Sequence, residues 1–508
     1  MSSQQDWVTY EAFGAAGDGV TDDLPAICQA HAHANAHNLP VRTRPDATYH
    51  LGRRALTAII ATDTDWTTSR FTIDDAPSGG VEDHKKPLFA VRSLLEPEIL
   101  AIDRLARDQR QLDVRPARDC HVLVESDAPR RYIRRGLNRN DGVPQHDVFI
   151  LHRDGSIEGD IDWDYTTIAR IAAHPIDEAP LTLQGGIFTT FANRMEQPVG
   201  YNYWARNIEI TRSNTTVEGL NLYVVGETAV GHPYRGFLSA DRCANVTLRD
   251  CFATPHKIYS TIGAAGSPVN MGSYDIHANN VVDLRLINCR MHHICDSTRW
   301  GVIASNFCKN ILLEDCIFSR MDTHMGVSGT YTIRRCSLGH QGLNAIGRGV
   351  VTVEDSTLYG SALIRFRGDY GSTWEGDLII RNCRWIPSCG EVAWPHVIGV
   401  SNDGMHDFGY PCSMPREITI DGLFIDDSNH PEDYTGPHLF TDPDDTHMDV
   451  VKPDLPVERP FPYARSRKVT VRGLSTASGK QLLISPNPAL RHEIEMIAVR
   501  SDPAAGSE

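Results

Sequence analysis

The feature that most constrains this chain is a short repeat that begins near residue 245. Six segments align on one small residue: NVTLRDCFATPH (245–256), VDLRLINCRMHH (282–293), NILLEDCIFSRM (310–321), TYTIRRCSLGHQ (330–341), VVTVEDSTLYGS (350–361) and DLIIRNCRWIPS (377–388). The shared column reads Cys251, Cys289, Cys316, Cys336, Ser356 and Cys383, at intervals of 38, 27, 20, 20 and 27 residues. Weaker copies place Leu220, Leu423 and Leu474 in the same column. Self-similarity at this period is typical of a solenoid.

The repeat also indicates what kind of solenoid the chain forms. Side chains alternate along each segment, as in a β-strand, and a minimal coil of about 20 residues with occasional longer loops suits a parallel β-helix. Equivalent positions of stacked coils lie about 4.8 Å apart, so the column cysteines would stack in one direction along the axis. Free Cys is among the most buried residue types, which favours core packing over metal ligation or disulfides. The sequence therefore predicts an all-β fold, a right-handed parallel β-helix with a reduced cysteine column.

Composition bounds the class of protein. The 508 residues carry 49 Lys and Arg against 65 Asp and Glu, a formal net charge of −16. This charge disfavours non-specific binding to nucleic acid or anionic membranes. No apolar run approaches the length of a membrane-spanning helix, and the 12 Cys follow no C-x2-C spacing.

The N-terminal residues bear on localisation. Met1 to Asp6 lack the basic-then-apolar start of a secretory signal, which predicts a cytoplasmic protein, or a secreted one if a signal was removed beforehand. A reduced cysteine column fits the cytoplasm.

The segment YEAFGAAGDGVTDDLPAICQA (10–30) predicts a capping helix. Glycines at 14, 17 and 19 permit tight or left-handed turns, and Asp22 or Asp23 can cap a helix that starts near Leu24. The segment resembles the F-G-A-x-G-D-G-x-x-D-D opening of many pectin-lyase-like β-helix proteins, which include polygalacturonase-type hydrolases and phage tailspikes. That resemblance implies that the helix closes the open end of the solenoid.

Residues 81–165 depart from the repeat. LLEPEILAIDRLARDQRQL (94–112) has apolar residues at helical spacing, and VFILHRDGSIEGDIDW (148–163) is strand-like with a turn at Asp154-Gly155. We interpret the segment as an inserted α+β subdomain that walls a substrate groove or forms an oligomer contact. The chain then divides into an N-terminal cap with the first coils (1–80), the flank subdomain (81–165), the β-helix (166–490, with a loop excursion at 399–463) and a tail (491–508).

The positions of several polar residues relative to the cysteine column predict that they share one outer face of the β-helix. His293, Arg320 and His340 lie four positions after the column in three consecutive coils, and Asp322, Asp296 and His324 lie six, seven and eight positions after it. Further members lie on neighbouring strands or turns: Asp275, His277, Arg299, Trp300, Arg365 and Arg367. Because stacked coils bring distant residues together, we expect this patch to form a site across about four coils.

The order of four motifs is informative. ICDSTRWG (294–301), RMDTHMG (320–326), LGHQGLNAIG (338–347) and IRFRG (364–368) follow one another on successive coils. This resembles the order of an Asp motif, a paired-Asp motif, a His-Gly motif and a basic motif in polygalacturonase-type glycoside hydrolases. Over roughly 75 residues, the resemblance implies that Asp296 is the first acid, Asp322 one of the pair, His340 with Gly342 the His-Gly element, and Arg365 or Arg367 the group that contacts a uronate carboxylate. The chain departs from the pattern where Thr323 and His324 replace the second acid of the pair.

Each of these residues also has a structural explanation. Asp296, Asp322 and His324 lie where a local hydrogen bond can fix a turn, and outward arginines can simply be solvated. His340 lies between glycines, which permit the close approach of a ligand. The convergence of all of them on adjacent coils favours a site.

Three functions stay open. An inverting hydrolase of an acidic or polar glycan needs two carboxylates about 6.5–9.5 Å apart. Asp322 would be the acid and Asp296 the base, with His340 and His324 as tuning groups and Arg365 and Arg367 as the substrate clamp. A polysaccharide lyase would instead use Arg to neutralise a uronate and His to remove the C5 proton. The third function is a non-catalytic glycan-binding or structural β-helix.

The remaining predictions concern ligands and assembly. The partner is a polysaccharide or oligosaccharide, and no cofactor is expected. The acids Asp442, Asp444, Asp445 and Asp449 could hold Ca²⁺, but their spacing fits no standard loop, and a solvated loop is the preferred interpretation. Trp204, Trp300, Trp374 and Trp394 are candidates for stacking on sugars or for core packing. β-Helix proteins occur both as trimers and as monomers, so the sequence leaves a homo-oligomer open.

Overall fold

The computed structural model describes residues 6–52, 55–74, 85–134, 141–192, 203–228, 233–263, 266–305, 307–368, 373–392, 394–400, 406–407, 412–441, 463–486 and 488–499. Most strands join a single large sheet in which the pairings are parallel and each strand pairs with its equivalent one coil away. Such connections are right-handed in nearly all proteins. The predicted parallel β-helix is confirmed.

Each full coil contributes to three stacks of strands. Stack 1 contains Val41–Arg42, Thr64–Asp74, Leu181–Phe191, Thr215–Glu218, Ala244–Arg249, Val282–Ile287, Cys308–Glu314, Val327–Arg334, Gly347–Glu354, Trp374–Trp385, Glu417–Ile425, Lys468–Thr476 and Glu495–Val499. Stack 2 contains Asp18–Asp22, Thr48–Leu51, Asn221–Val225, Phe252–Ala253, Arg290–Met291, Ile317–His324, Ser337–Ala345 and Thr357–Leu358, together with the ends of long stack 1 strands. Stack 3 contains Ala58–Ile60, Phe89–Val91, Ile208–Ile210, Leu238–Asp241, Tyr274–Asn279, Gly301–Ser305, Ala362–Phe366, His396–Gly399 and His438–Phe440. The second halves of Ile317–His324 and Ser337–Ala345 also run in stack 3.

The cysteine column lies where stack 1 bends into stack 2. Its six members are at most 5% exposed, and the cysteines among them are free thiols inside the main apolar core. Cys383 pairs with Leu423 and Leu423 with Leu474, as the alignment predicts. Burial raises the pKa of the Cys383 thiol to about 11, so the thiol stays protonated at neutral pH.

The residue before each column position has a left-handed backbone. Asp250, Asn288, Asp315, Arg335, Asp355 and Asn382 have φ between 48° and 56°, and Gly219, Gly422 and Gly473 take the same role in the weaker copies. Asn, Asp and Gly tolerate this conformation best. Arg335 departs from that preference, and its guanidinium pairs with Asp315 one coil away. A small polar residue or glycine before the column therefore makes the bend between the two stacks.

The N-terminal helix α1, Leu24–His37, covers the first coil as predicted. Its buried residues, Leu24, Ala26, Ile27, Ala30, His31 and Ala34, belong to the main core or lie against it. Asp23 is the N-cap residue, but its carboxylate accepts hydrogen bonds from the backbone N–H groups of Ala16 and Gly17. That contact fixes the glycine-rich turn against the helix. A short 3-10 helix, Glu11–Phe13, precedes the turn, and a second helix, α2, Pro488–Glu493, lies near the C-terminus.

The flank subdomain is a four-stranded antiparallel sheet. Its strands are Cys120–Arg131, Val143–Leu151, Ile157–Glu158 and Arg170–Pro175, so the sheet extends ten residues beyond the predicted limit of 165. The turn at Asp154-Gly155 is present, with Gly155 at φ 80°.

The helix predicted over 94–112 is wrong, because those residues form only isolated β-bridges, a bend, a turn and irregular segments. Ile102, Leu105 and Leu112 bury their side chains against the flank sheet. Packing on a sheet therefore satisfies the apolar spacing that indicated a helix.

The flank sheet docks on the corner between stacks 3 and 1. Lys309 of stack 1 is fully buried and pairs with Asp147 of the flank sheet, and Asp162 lies 3.6 Å from the same ammonium group. His121 and His146 contact the backbone oxygen and side-chain oxygen of Asn280. These polar contacts accompany an apolar cluster that includes Leu123, Val148, Ile150, Ile176, Ala244 and Val282.

The remaining described elements are short. Tyr259–Ile262 and Pro268–Met271 form an antiparallel hairpin, Ile133–Arg134 pairs with His406–Asp407, Cys412–Ser413 pairs with Tyr463–Ala464, and a 3-10 segment spans Pro387–Gly390. The acids Asp442, Asp444, Asp445 and Asp449 lie outside the described residues. None of the helices that the structure describes is long and apolar enough to cross a membrane.

Candidate functional site

The candidate site lies on the outer face of stack 3. In register along this face, His277 pairs with Ile303 and Ile303 with Asp322, while Asn344 pairs with Arg365 in the following coils. Met321 and Thr323, on either side of Asp322, are fully buried, and Met321 belongs to the main core. Because strand side chains alternate, Asp322 points outward from the β-helix.

Asp322 is nevertheless 0% exposed. Its Oδ2 accepts hydrogen bonds from the Tyr274 hydroxyl at 2.8 Å and from Arg367 Nη1 at 2.7 Å. Arg320 Nη2 lies 3.2 Å from Oδ1 as an ion-pair contact, and Oδ1 has no aligned hydrogen bond among the described residues. We call Tyr274, Arg320, Asp322 and Arg367 the Asp322 cluster. The cluster draws on alternate coils: the strand Gly301–Ser305 lies between the strands of Tyr274 and Asp322, and the strand Ser337–Ala345 lies between Asp322 and the strand that precedes Arg367.

Arg320 is held in place on two sides. Its Nη1 lies 3.4 Å from the Tyr274 hydroxyl, and its guanidinium carbon lies 4.8 Å from the centre of the Trp300 ring, as in a cation–π contact. Burial, together with the negative charge of Asp322, raises the pKa of Tyr274 well above its usual value. Tyr274 is therefore a hydrogen-bond donor at neutral pH and not a base.

Two glycines make room for the loop that carries Trp300. A Cβ atom at Gly272 would lie 1.8 Å from the Trp300 ring, and one at Gly339 would lie 1.8 Å from the Ile294 carbonyl oxygen. The backbone N–H of His340 donates to that same oxygen at 2.8 Å. Residues 292–300 are therefore fixed against the coil that carries His340.

Asp296 forms a turn within this loop. Its Oδ1 accepts hydrogen bonds from the backbone N–H and the hydroxyl of Thr298, and Arg299 Nε lies 3.4 Å from Oδ2. Although partial burial acts to raise the pKa of Asp296, these hydrogen bonds and the charge of Arg299 lower it. Arg299 also pairs with Glu227 at 2.9 Å and donates to the carbonyl of Pro255. Asp296 thus has the structural role of capping a turn, while its side chain stays 38% exposed.

Asp275 lies deeper, beneath the loop. It is fully buried and contacts His256 Nδ1 at 2.5 Å, while the His256 ring stacks on Tyr234 at 3.8 Å. Burial raises the pKa of Asp275, although the adjacent His256 acts to lower it. This pair supports the long loops that flank the site and does not reach its surface.

The histidines and the remaining arginine differ in exposure. Burial and the nearby charge of Arg235 lower the pKa of His277 to about 4, and its Nδ1 lies 3.3 Å from the Ser239 hydroxyl. His324 and His340 are partly exposed, and His293 is exposed. Arg365 is exposed, and its Nη2 donates to Ser361 at 2.6 Å. The solvent-accessible edge of the site therefore carries His293, His340 and Arg365, while Arg320 and Arg367 lie within the Asp322 cluster.

Sequence reasoning omitted two residues of this region. Tyr274 donates to Asp322, and Glu227 holds Arg299 and accepts from the backbone N–H of Lys257. The alternation of Tyr274 with Asp275 gave no signal, because a tyrosine in an apolar strand is typical of a core. Glu227 lies outside the repeat, so counting from the cysteine column did not reach it. No group of three or more potential metal ligands occurs among the described residues.

Comparison with known proteins gives one partial match in sequence. No protein-family model matches the chain. A capsule KL64-specific depolymerase of Klebsiella phage P510 is 28% identical over 121 residues, which are 22% of this chain and 12% of the depolymerase. The matched segment therefore spans about an eighth of that relative's length.

Solved structures with a similar fold come from phages and bacteria. The Pseudomonas phage phi297 tailspike gp61 has a TM-score of 0.48 at 12% identity, covering 97% of this chain and 84% of that chain. The tailspike gp49 of Pseudomonas phage LKA1 has a TM-score of 0.45 at 12% identity, covering 92% and 81%. A hyperthermoactive exopolygalacturonase from Thermotoga maritima has a TM-score of 0.35 at 10% identity, covering 95% and 92%. The parallel pairing of this chain's own strands establishes its fold, a right-handed parallel β-helix.

Proposed function

We propose that this protein binds and cleaves an acidic polysaccharide on the outer face of stack 3, by hydrolysis at the Asp322 cluster. The observation that carries the proposal is the burial of an outward-pointing carboxylate with two arginines and a tyrosine. Burying charged groups costs several kcal/mol per ion, and apolar residues of the same size would stabilise the fold as well or better. We therefore infer that these charged groups serve a role other than stability.

The charges favour an acidic substrate. Arg320 and Arg367 present guanidinium groups within the cluster, and Arg365 is exposed two coils from Asp322. Guanidinium groups bind carboxylates with paired hydrogen bonds, as recognition of a uronate requires. Trp300, partly exposed beside Arg320, offers an aromatic face to a sugar ring. The partial similarity to a capsule-specific phage depolymerase supports a polysaccharide substrate.

In this proposal Asp322 is the general acid and Asp296 the base. A substrate carboxylate would compete with Asp322 for Arg367 and Arg320. That exchange would release Asp322 from its arginine partners and let its carboxyl group act on the leaving oxygen. Asp296, at 38% exposure, can contact water. His324 lies two residues from Asp322 on the same strand, and His340 lies on the next coil.

Elimination is the second candidate, and the engagement of Asp322 favours it. Both Asp322 oxygens contact cationic or hydroxyl groups, whereas the nearby histidines His293 and His340 are exposed or partly exposed. A histidine could then remove the C5 proton while the arginines neutralise the uronate. Elimination leaves a conjugated double bond that absorbs ultraviolet light, and hydrolysis does not.

The test is a screen of purified capsular and uronate-containing polysaccharides, followed by new reducing ends and by ultraviolet absorbance. We expect cleavage of at least one acidic polysaccharide without new absorbance. For Asp322→Asn we expect a rate about 10²–10⁴-fold lower, the usual contribution of a general acid.

The matched control is Asp315→Asn, which alters an exposed carboxylate of the same coil that pairs with Arg335. It should cleave at the wild-type rate. Circular dichroism and thermal unfolding check that both variants fold. Wild-type turnover by a folded Asp322→Asn variant, or no cleavage of any acidic polysaccharide by the wild-type protein, contradicts the proposal, and new absorbance selects elimination.

A further inference from the structure

A second concavity lies where the flank subdomain meets stack 3. We call it the flank cleft. Its volume is about 560 Å³, and its lining includes Glu98, Ile99, Glu125, Arg170, Asp241 and Arg242. Ligand sites typically measure about 300–1,000 Å³ and often lie between two structural units. The cleft therefore has the size and the position of a binding site.

The charges that line the flank cleft are compensated within the protein. Arg170 pairs with Glu125 at 3.2 Å, and Arg242 pairs with Asp241 at 2.9 Å. Asp241 also accepts from Asn279 at 2.7 Å, and Glu98 accepts from the backbone N–H groups of Ala117 and Arg118. The cleft therefore offers hydrogen-bonding groups without an excess of positive charge, unlike the Asp322 cluster with its two arginines.

Several groups of the cleft can contact an uncharged ligand. The side chain of Arg242 is 49% exposed and that of Arg170 is 62% exposed, so both guanidinium groups can donate further hydrogen bonds. Burial and the charge of Arg242 lower the pKa of His174, which therefore lines the cleft as a neutral ring at pH 7. Ile99 is fully exposed at the cleft and offers an apolar surface. Donors beside an apolar surface suit the hydroxyl groups and C–H faces of a neutral sugar.

The cleft lies in register with the Asp322 cluster. Along the outer face of stack 3, Asp241 pairs with Asn279, Asn279 with Ser305, and Ser305 with His324, two residues from Asp322 on the same strand. Two strand spacings of about 4.8 Å therefore separate the coil of Asn279 from the coil of Asp322, about 10 Å along the axis. One extended glycan chain can contact both places.

We propose that the flank cleft binds neutral sugar units of the same polysaccharide whose acidic unit binds at the Asp322 cluster. This inference rests on the proposed function, and it specifies the substrate as a heteropolysaccharide in which neutral sugars and uronic acids occur in one chain. The flank subdomain then takes part in substrate selection, because Glu98, Ile99, Glu125 and Arg170 all belong to it.

The test measures binding to immobilised oligosaccharides of three kinds: neutral glucan oligosaccharides, oligogalacturonates, and capsule fragments that contain both neutral sugars and uronic acids. Arg242→Asn removes a guanidinium donor and keeps a residue that tolerates the left-handed backbone at this position, where φ is 50°. Ala172→Trp fills the cleft from the flank sheet. We expect each variant to bind the mixed fragments about tenfold more weakly, the effect of losing one or two hydrogen bonds. Binding of oligogalacturonates should not change.

The matched control is Arg153→Ala, which removes an exposed, ion-paired arginine elsewhere on the flank subdomain and should bind as the wild type does. The inference is overturned if both cleft variants bind the mixed fragments like the wild type, or if the wild type binds no fragment that contains neutral sugars. Cleavage assays on the same fragments separate the two proposals. If binding depends on the cleft but no fragment is cleaved, the proposed reaction alone is wrong. If fragments are cleaved and neither cleft variant changes the cleavage, this inference alone is wrong.

Discussion

Single backbone positions set the bend between stacks 1 and 2. The left-handed residue before the column is Asn, Asp or Gly in nearly every coil, and Gly422 takes this role before Leu423 with φ at 79°. An L-residue with a Cβ costs roughly 1–2 kcal/mol in this conformation. A Cβ atom at Gly422 would also lie 2.8 Å from Asn382 Oδ1 in the adjacent coil. The bend therefore depends on which residue type precedes the column as well as on the column itself.

We expect Gly422→Ala to lower the free energy of unfolding by about 1–2 kcal/mol. The measurement is urea unfolding followed by circular dichroism. Gly399→Ala is the matched control, because Gly399 is outside the left-handed region and its nearest neighbour is a flexible Arg365 atom at 3.2 Å. Equal stability of the two variants would show that backbone conformation at the bend has no energetic role.

At the scale of elements, the docking of the flank sheet is sensitive to pH. Burial lowers the pKa of His121 to about 4, and the ring contacts the backbone oxygen of Asn280. In an unfolded chain a histidine side chain binds a proton near pH 6.5. The buried, neutral ring of His121 therefore stabilises the fold above that pH, and this stabilisation is lost as the pH falls from about 6.5 towards 4. Asp147 acts in the opposite sense. Burial raises the pKa of its carboxyl group to about 7 despite the adjacent Lys309, so its contribution to the stability of the fold is lost as the pH rises through about 7.

The variant His121→Gln isolates the histidine from its neighbours. The amide can still donate to Asn280 but does not titrate. We expect the loss of unfolding free energy between pH 7 and pH 4 to be smaller by about 3 kcal/mol in the variant than in the wild type. Chemical unfolding at a series of pH values checks this. The same pH dependence in both proteins would mean that the pKa of His121 is the same in the folded and unfolded states.

At the scale of the whole molecule, the β-helix is a stack in which each coil contacts its neighbours. The stability of such a protein is approximately a sum of local terms, and damage at one end stays near that end. Helix α1 covers the first coil and contacts the strands Ala58–Ile60 and Val41–Arg42. The strands Glu417–Ile425 and Lys468–Thr476 lie many coils away.

We expect Ile27→Ala to remove about 2–4 kcal/mol of packing from the cap, since Ile27 is 0% exposed. Hydrogen–deuterium exchange should accelerate in the strands Val41–Arg42, Thr48–Leu51, Ala58–Ile60 and Thr64–Asp74 and stay unchanged in the strands Glu417–Ile425 and Lys468–Thr476. The control Gln29→Ala alters an exposed position of the same helix and should leave both regions protected. Acceleration over the entire chain would indicate that the coils unfold as one cooperative unit.

The sequence predicted the architecture well because the repeated column marks positions that are buried in every coil. Cys316 and Cys336 lie where their spacing places them, since equivalent positions of stacked coils share one environment. Asp322 reached the outer face of stack 3 by the same count. The helix over 94–112 was wrong because Leu105 satisfies its apolar preference on a sheet that the local pattern does not reveal.

The contacts within the site could not be predicted from the sequence. The partner of Asp322, Tyr274, is 48 residues away in the chain, and the partner of Arg299, Glu227, is 72 residues away. The sequence also does not show that Asp296, the proposed base, forms local hydrogen bonds with Thr298 that fix it in a turn. Loops of different length bring these groups together, so the count from the cysteine column does not determine which of them touch.

The equal spacing of Cys316, Cys336 and Ser356 has a consequence for how such a protein can change over time. Each 20-residue coil begins and ends at equivalent positions of the stack. The gain or loss of one whole coil would therefore keep the remaining coils in register. A shift of a single residue would instead turn core side chains towards solvent. Duplication or deletion of entire coils would therefore alter the distance between the flank cleft and the Asp322 cluster in steps of about 4.8 Å. Any such step would also separate Tyr274 from Asp322, because Tyr274 lies on the strand that carries Asn279 of the cleft. The hydrogen bond between Tyr274 and Asp322 therefore ties the cluster and the cleft to one fixed number of coils.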